Sequence, residues 1–181
     1  MRSSHDVIRF WFLDHGEDDW FGGKPEFDTA LAENFAETHA QVARGEAWTW
    51  RRSAEGRLAE IVVLDQFSRQ LHRGSPEAFA QDKMALVLAQ EAIAAGADQV
   101  VQPAWRSFFY MPFMHAESLL IQEEGMGLFA ALGNQDQLDF MTGHRDCIAR
   151  FGRFPFRNTA LGRQSTEAEL AYMREQEGRA F

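Results

Sequence analysis

The sequence is poor in cysteine, has no long apolar run and carries no surplus of positive charge. Cys147 is its one cysteine in 181 residues, so no internal disulfide can form and no zinc-binding pair of cysteines exists. The apolar stretch near the N-terminus is interrupted by Asp6 and Arg9, and it is too short for a signal peptide or a membrane span. We therefore expect a protein of the reducing cytoplasm with no membrane partner.

The charge balance and the missing motifs reduce the number of function classes further. The formal net charge is -9, so the average field repels nucleic-acid phosphates and anionic membranes. The nucleophile elbow of α/β-hydrolases, the Walker phosphate-binding loop and the dinucleotide-binding glycine pattern are all absent. We expect no nucleic-acid partner and no cofactor.

Helical periodicity dominates the residues that are present. Apolar positions recur at spacings of three and four, while strand alternation and Asn-Gly hairpin signals are missing. The predicted fold class is all-α, with about seven to nine helices. The length favours one domain over residues 1–181, with a frayed C-terminal end at about 175–181.

Start and stop signals locate several of these helices. One is predicted over about 25–44, and another over 75–96 with Pro76 at its first position. Pro112 is expected to mark a kink or a fresh start before a helix that reaches Leu132. Residues with capping side chains precede three of the helices: Ser75, Asn134 and Thr166.

The stretch 57–71 is predicted to be the central helix. Its apolar residues cover more than one face, which is typical of a helix packed on several sides. Asp65, Gln66 and Arg69 interrupt this pattern, and at about 100° per residue Asp65 and Arg69 lie beside each other. An unpaired buried charge costs several kcal/mol, so these side chains need partners in each other, in other helices or in a ligand.

The segment 144–163 inverts the charge of the chain, because it holds five arginines and a single acid, Asp146. The arginines are Arg145, Arg150, Arg153, Arg157 and Arg163. Guanidinium groups match carboxylate and phosphate oxygens through two parallel hydrogen bonds, which favours an anion-binding loop. Pairing of the arginines with structural acids, such as Asp65 or Glu117, is the alternative interpretation.

Two histidines are candidates for acid-base chemistry. His115 is expected just after a helix start, where its pKa would fall, as suits a neutral general base. Glu117 lies about 200° from it on a helix, so the pair does not predict a metal site. His144 shares a helix face with Met141 and Ile148. Each histidine also fits a simpler role as a core residue.

Three motifs, in this order, resemble the bacterial family catalogued as domain of unknown function 924. They read LDQFSRQLHRGSPEAFAQD (64–82), YMPFMHAES (110–118) and HRDCIARFGRFPFRNTALGRQST (144–166). The resemblance implies a tetratricopeptide-like α–α superhelix of antiparallel helix pairs and no established activity. This chain has Phe156 where the last motif of the family commonly has histidine. The matching positions are Asp65, Gln66, Arg69, His115, Glu117, His144, Arg150, Arg153, Arg157 and Asn158.

The first hypothesis for the function is a binding module. A small anionic molecule or a peptide carboxylate would lie in a pocket lined by arginine, histidine and aspartate, with the acids orienting the arginines. The predicted ligand-binding residues are Asp65, Gln66, Arg69, Arg150, Arg153, Arg157 and Asn158.

The second hypothesis is a hydrolase or lyase. His115 or His144 would be the general base, Glu117 or Asp65 would orient it, and the arginines would stabilise developing negative charge. A third interpretation is a buried polar lattice that only fixes helix register. A homodimer through the aromatic segments around Trp20 and Trp48 is also left open.

Overall fold

The computed structural model describes residues 1–21 and 23–176, and every regular element in them is helical. The predicted all-α class is confirmed. The α-helices are α1 (Ser4–Ile8), α2 (Glu17–Trp20), α3 (Pro25–Ala43), α4 (Ala54–Val62), α5 (Ser68–Leu71), α6 (Asp82–Ala94), α7 (Ala97–Val100), α8 (Ser107–Met114), α9 (Leu119–Leu132), α10 (Gln135–Phe151) and α11 (Glu167–Glu175). Of the end predicted to fray, Gln176 caps α11 and the residues after it lie outside the described range.

The chain divides into two compact units. The first consists of Met1–Arg73 and Glu77–Pro112, and the second consists of Gly74–Pro76 and the chain from Phe113 onward. The single domain and the tetratricopeptide-like superhelix therefore stay predictions. None of the helices in the described residues is long and apolar enough to cross a membrane.

The predicted central helix is the core of the first unit. Helix α4 continues through a π-helical segment, Val63–Phe67, into α5 without leaving the right-handed helical region. Helices α1, α3, α6 and α7 pack against it, and Leu58 and Ile61 are fully buried. The prediction of a helix packed on several sides is confirmed. Asp65 lies in the π-helical segment, a feature that is frequent at functional sites.

Aromatic rings fill the space around this helix. The Trp11 ring stacks on Trp20 with centroids 5.3 Å apart, and it lies 5.5 Å from Phe67 and 6.0 Å from Phe108. Tilted and edge-on contacts of this kind add about 0.5–1.5 kcal/mol each beyond the buried area. The aromatic cluster therefore fixes the N-terminal helix on the central one.

Helices α9 and α10 form an antiparallel pair in the second unit. A two-residue turn, 133–134, joins them, and the Asn134 side chain accepts a hydrogen bond from the Gln137 N–H at 3.1 Å, as the capping signal predicts. Thr142 approaches Met126 to 3.9 Å, and Arg145 approaches Glu123 to 4.0 Å. Residues later in α10 contact residues earlier in α9, so the two helices run antiparallel.

The chain after α10 makes two further local structures. Gly152 ends α10 in the left-handed region with φ of 67°, a conformation that favours glycine. Pro155–Arg157 is a 3-10 turn. A capping box begins α11 as predicted, because the Glu169 N–H donates to Thr166 Oγ1 at 3.2 Å and the Thr166 N–H donates to Glu169 Oε2 at 2.7 Å.

Two helix starts differ from the predictions. Pro112 lies inside α8. Phe109 and Phe113 of the same helix are buried, so their packing outweighs the loss of the backbone hydrogen bond that proline cannot donate. The next helix, α9, begins only at Leu119 and ends at Leu132, as predicted. The helix predicted over 75–96 begins as a separate 3-10 turn, Pro76–Phe79, and continues as α6.

Substitution of Gly56 in α4 tests how tightly the first unit is packed. A Cβ atom at this position would overlap the backbone carbonyl of Trp50, and a backbone atom yields less readily than a flexible side chain. We expect Gly56→Ala to lower the free energy of unfolding by about 2 kcal/mol.

Gly127 in α9 is the matched control, because a Cβ there meets no atom within 4 Å. Gly127→Ala should raise the free energy of unfolding by about 0.5–1 kcal/mol, since alanine loses less backbone entropy in a helix. Urea denaturation of both variants measures the difference. Equal effects of the two substitutions would contradict the packing described for α4.

Candidate functional site

The first unit buries an ion-pair cluster on the central helix. Arg69 donates from Nη1 to the Asp65 carbonyl oxygen at 2.7 Å, and the same nitrogen lies 3.2 Å from Asp65 Oδ1. Its two Nη atoms also donate to the Asp82 carboxylate at 2.9 and 3.0 Å. Gln66 donates to Asp65 Oδ2 at 2.6 Å. Asp65 and Arg69 are therefore neighbours, as the helical spacing predicts.

The electrostatics of this cluster favour a rigid structural role for its charged side chains. Burial alone would lower the pKa of Arg69, but the charges of Asp65 and Asp82 outweigh burial and raise that pKa. The guanidinium therefore stays charged, and its two outer nitrogens already hold the carboxylate of Asp82 in the geometry that a ligand carboxylate would use.

The first unit also buries a histidine and a serine that the sequence analysis missed. His39 Nε2 lies 2.8 Å from Ser68 Oγ, and that hydroxyl donates to the Leu64 carbonyl at 2.6 Å. Because the hydroxyl hydrogen is directed at the carbonyl, His39 is the donor to Ser68, so the serine is not activated as a nucleophile. Burial lowers the pKa of His39 to about 4, with a smaller contribution from His72.

His115 lies in the turn between α8 and α9, after a helix end and not after a helix start. This placement corrects the expectation of a helix N-terminus beside His115. Three successive carbonyl groups of the turn accept hydrogen bonds from side chains. Gln122 Nε2 donates to Met114 and Ala116 at 2.7 and 2.8 Å, and Arg157 Nη2 donates to His115 at 3.0 Å. The turn is therefore held on both sides of the histidine.

Arg157 and His144 lie near the ring of Phe154, and the His115 ring lies near that of His144. The Arg157 guanidinium carbon is 4.5 Å from the Phe154 ring centroid, and the His144 ring is 5.5 Å from it. The His115 and His144 rings are 6.3 Å apart. Arg157 is 8% exposed and His144 is 4% exposed, so the structure brings together a buried guanidinium and two imidazoles.

The tautomer of His144 follows from its backbone contact. Its Nδ1 lies 2.8 Å from the carbonyl oxygen of Phe140, one helical turn earlier, and a carbonyl oxygen can only accept. Nδ1 therefore carries the hydrogen, and Nε2 is the acceptor nitrogen of the neutral ring.

Glu117 ties the loop after α10 to the His115 turn. Its carboxylate accepts from the Phe154 N–H at 2.8 Å and from the two Nη atoms of Arg163 at 2.8 and 2.9 Å. Burial alone would raise the pKa of Glu117, but the hydrogen bonds from Arg163 and Phe154 lower it. Glu117 is thus an ionised anchor for Arg163, which agrees with the structural interpretation of that arginine.

Arg153 has a similar arrangement with Glu169. Its Nε and Nη2 donate to the two carboxylate oxygens at 2.7 and 2.9 Å. The hydrogen bond from Arg153 is the main reason that the pKa of Glu169 falls to about 2. Asn158 donates to Ser165 Oγ at 3.0 Å and accepts from Arg163 Nε at 2.9 Å. Sequence reasoning identified Glu169 only as a helix cap.

Arg150 differs from these arginines, because its guanidinium lies over aromatic rings at the surface. Its guanidinium carbon is 4.8 Å from the Phe151 ring centroid and 5.7 Å from that of Tyr172. Across the described part of the chain, no three side chains of histidine, cysteine, aspartate or glutamate are placed to share a metal ion.

A family model described as "Bacterial protein of unknown function (DUF924)" matches residues 7–177. The chain belongs to this family. The solved structure of a protein of unknown function from Agrobacterium tumefaciens is similar to this DUF924 protein, with 40% sequence identity and a TM-score of 0.90. The similarity covers 95% of this chain and 97% of that one. No curated protein matches this chain.

The family resemblance of the three motifs is thereby confirmed, whereas the relation to tetratricopeptide proteins stays a prediction. The second unit of this DUF924 protein holds together the motif residues His115, Glu117, His144, Arg157 and Asn158. The first unit holds together Asp65, Gln66 and Arg69.

The buried, neutral His39 predicts a pH dependence of stability. Its folded pKa of about 4 lies below the ordinary value of 6.5, so the unfolded chain binds more protons between these values. The His39 contribution is fully present above about pH 6.5 and is lost as the pH falls towards 4, by about 3 kcal/mol.

The matched variant is His39→Gln, whose amide can still donate to Ser68. Urea denaturation of both proteins from pH 7 to pH 4 should show the variant losing about 3 kcal/mol less than the natural chain. Identical pH profiles would show that His39 does not titrate as described.

Proposed function

We propose that this DUF924 protein binds a small anionic molecule at the cluster formed by His115, His144 and Arg157. The proposal rests on one observation: a buried guanidinium lies on the Phe154 ring, the His144 ring approaches the same aromatic ring, and the His115 ring lies beside that of His144. An arginine is charged at every relevant pH, and its attraction for an anion grows in a site from which water is excluded. Protonation of either imidazole on binding would add to that attraction.

The neighbouring residues divide into those that would contact the ligand and those that would hold the site in place, which are called the frame. Arg153 and Arg163 each use two nitrogens on a carboxylate, so the proposal assigns both to the frame. The contacts of Arg157 with the His115 carbonyl and the Phe154 ring orient its guanidinium. A guanidinium held in one orientation loses less entropy when it binds a ligand.

Carboxylate and phosphate share the chemistry that this cluster would recognise, namely a compact anion with several acceptor oxygens. The proposal uses residues of the second unit alone. The ligand-binding role of Asp65, Gln66 and Arg69 stays a prediction, as do those of Arg150 and Asn158.

Substitution of Arg157 tests the proposal directly. We expect Arg157→Met to weaken binding of inorganic phosphate or succinate at least about tenfold, because a hydrogen bond to a charged group is lost. Isothermal titration calorimetry with each anion separates a phosphate site from a carboxylate site.

Arg174→Met is the matched control, since Arg174 lies at the surface of α11 and its substitution should leave both affinities unchanged. Arg157→Lys keeps the charge without the paired nitrogens, and it serves if the methionine variant does not fold. Unchanged affinity in a folded Arg157 variant, or an equal loss in the Arg174 variant, would refute the proposed site.

The tautomer of His144 favours a second candidate function. With Nδ1 bonded to the Phe140 carbonyl, Nε2 is the nitrogen that would act as the general base of a hydrolase or lyase, and Arg157 would stabilise developing negative charge. His115, in the adjoining turn, is the alternative base.

His144→Asn separates this enzyme from a binding protein. An asparagine amide can still donate to the Phe140 carbonyl, so the variant should fold, but it has no basic nitrogen. We expect it to lower the rate of ester, phosphoester or amide hydrolysis by about 100-fold or more in any assay where the natural chain is active. A natural chain that hydrolyses none of these substrate classes, or a variant of equal rate, would refute hydrolysis.

A further inference from the structure

Gln122 in α9 leaves a buried acceptor unused beside the His115 turn. The residue is 0% exposed, and its Nε2 donates to the carbonyls of Met114 and Ala116, which flank His115. In residues 1–21 and 23–176, no donor reaches its Oε1. An unsatisfied buried acceptor is costly, and buried polar atoms in native proteins almost always have a partner.

The orientation of the Gln122 amide is decided by its neighbours. Both carbonyl oxygens can only accept, so the nitrogen must face them and the oxygen must take the other position. Because the amide is small and planar, Oε1 lies within about 5 Å of both carbonyl oxygens. The unused acceptor therefore lies close to the backbone of the turn that carries His115.

Stabilisation of the turn accounts for the amide nitrogen of Gln122 but not for its amide oxygen. The two bonds from Nε2 account for a buried amide nitrogen, whereas the oxygen of the same amide has no donor in the described residues. The missing partner must be a donor, and a hydroxyl or ammonium group next to a carboxylate is such a donor.

Building on the proposed anion site, we propose that Gln122 Oε1 accepts a hydrogen bond from the ligand. The site would then select hydroxy- or amino-substituted carboxylates over plain carboxylates. Arg157 and the histidines would hold the carboxylate, and Gln122 would recognise the substituent. A site built to pair with a hydroxyl group rejects the analogue that lacks it, because the buried acceptor is then left unpaired.

Malate and succinate are the matched probes, since they are four-carbon dicarboxylates that differ by one hydroxyl group. Calorimetry on the natural chain should show malate binding about tenfold more tightly than succinate. 2-Methoxysuccinate keeps the oxygen without its hydrogen, so it should bind no better than succinate. Equal binding of malate and succinate, or methoxysuccinate binding as tightly as malate, would overturn the inference, and neither comparison needs a variant.

Gln122→Met then identifies the residue that distinguishes the two probes. If Oε1 accepts from the ligand hydroxyl, the ratio of the two affinities should fall from about ten to about one in this variant. If Gln122 only positions the turn, both probes weaken by the same factor and the ratio stays near ten, which would overturn the inference.

The outcomes also separate this inference from the proposed function. Binding of succinate and phosphate that depends on Arg157, without any preference for malate, would leave the anion site in place and remove the role of Gln122. Failure of malate, succinate and phosphate alike to bind would refute the anion site and the inference together.

Discussion

An ionised carboxylate forms strong hydrogen bonds with backbone N–H groups and guanidinium nitrogens, and Glu117 does so in the second unit. Its two oxygens take the Phe154 N–H and both outer nitrogens of Arg163. These bonds join the turn before α9 to the loop after α10, so His115 and Arg157 lie on segments that share one anchor. The geometry of the candidate site therefore depends on a residue that we do not place among its ligand contacts.

The contacts of Arg157 include a backbone carbonyl and an aromatic face. Carboxylates hold Arg153 and Arg163 in place, each through two bonds. Paired charges of this kind contribute little net stability, because desolvation offsets their attraction. Their effect in this protein is to orient neighbouring groups, and Arg69 with its two carboxylates does this for the central helix.

Local sequence signals predicted much of the fold. The caps at Asn134 and Thr166 and the pairing of Asp65 with Arg69 were predictable because they join residues within one or two helical turns. The candidate site was predictable in part, through polar residues in apolar surroundings and a shared family motif. Gln122 was missed, since a single glutamine in a helical run has no local signature of burial.

The sequence by itself determined the helical class, the family, several helix ends and the residues that needed a polar partner. These properties follow from periodicity and from the cost of burying charge, which act within a short stretch of chain. Only the tertiary structure decided which partner each residue has: Glu169 for Arg153, Ser68 for His39, and the His115 turn for Gln122. Such pairs join residues more than one helical turn apart, and the packing that brings them together depends on side-chain shapes across many elements at once.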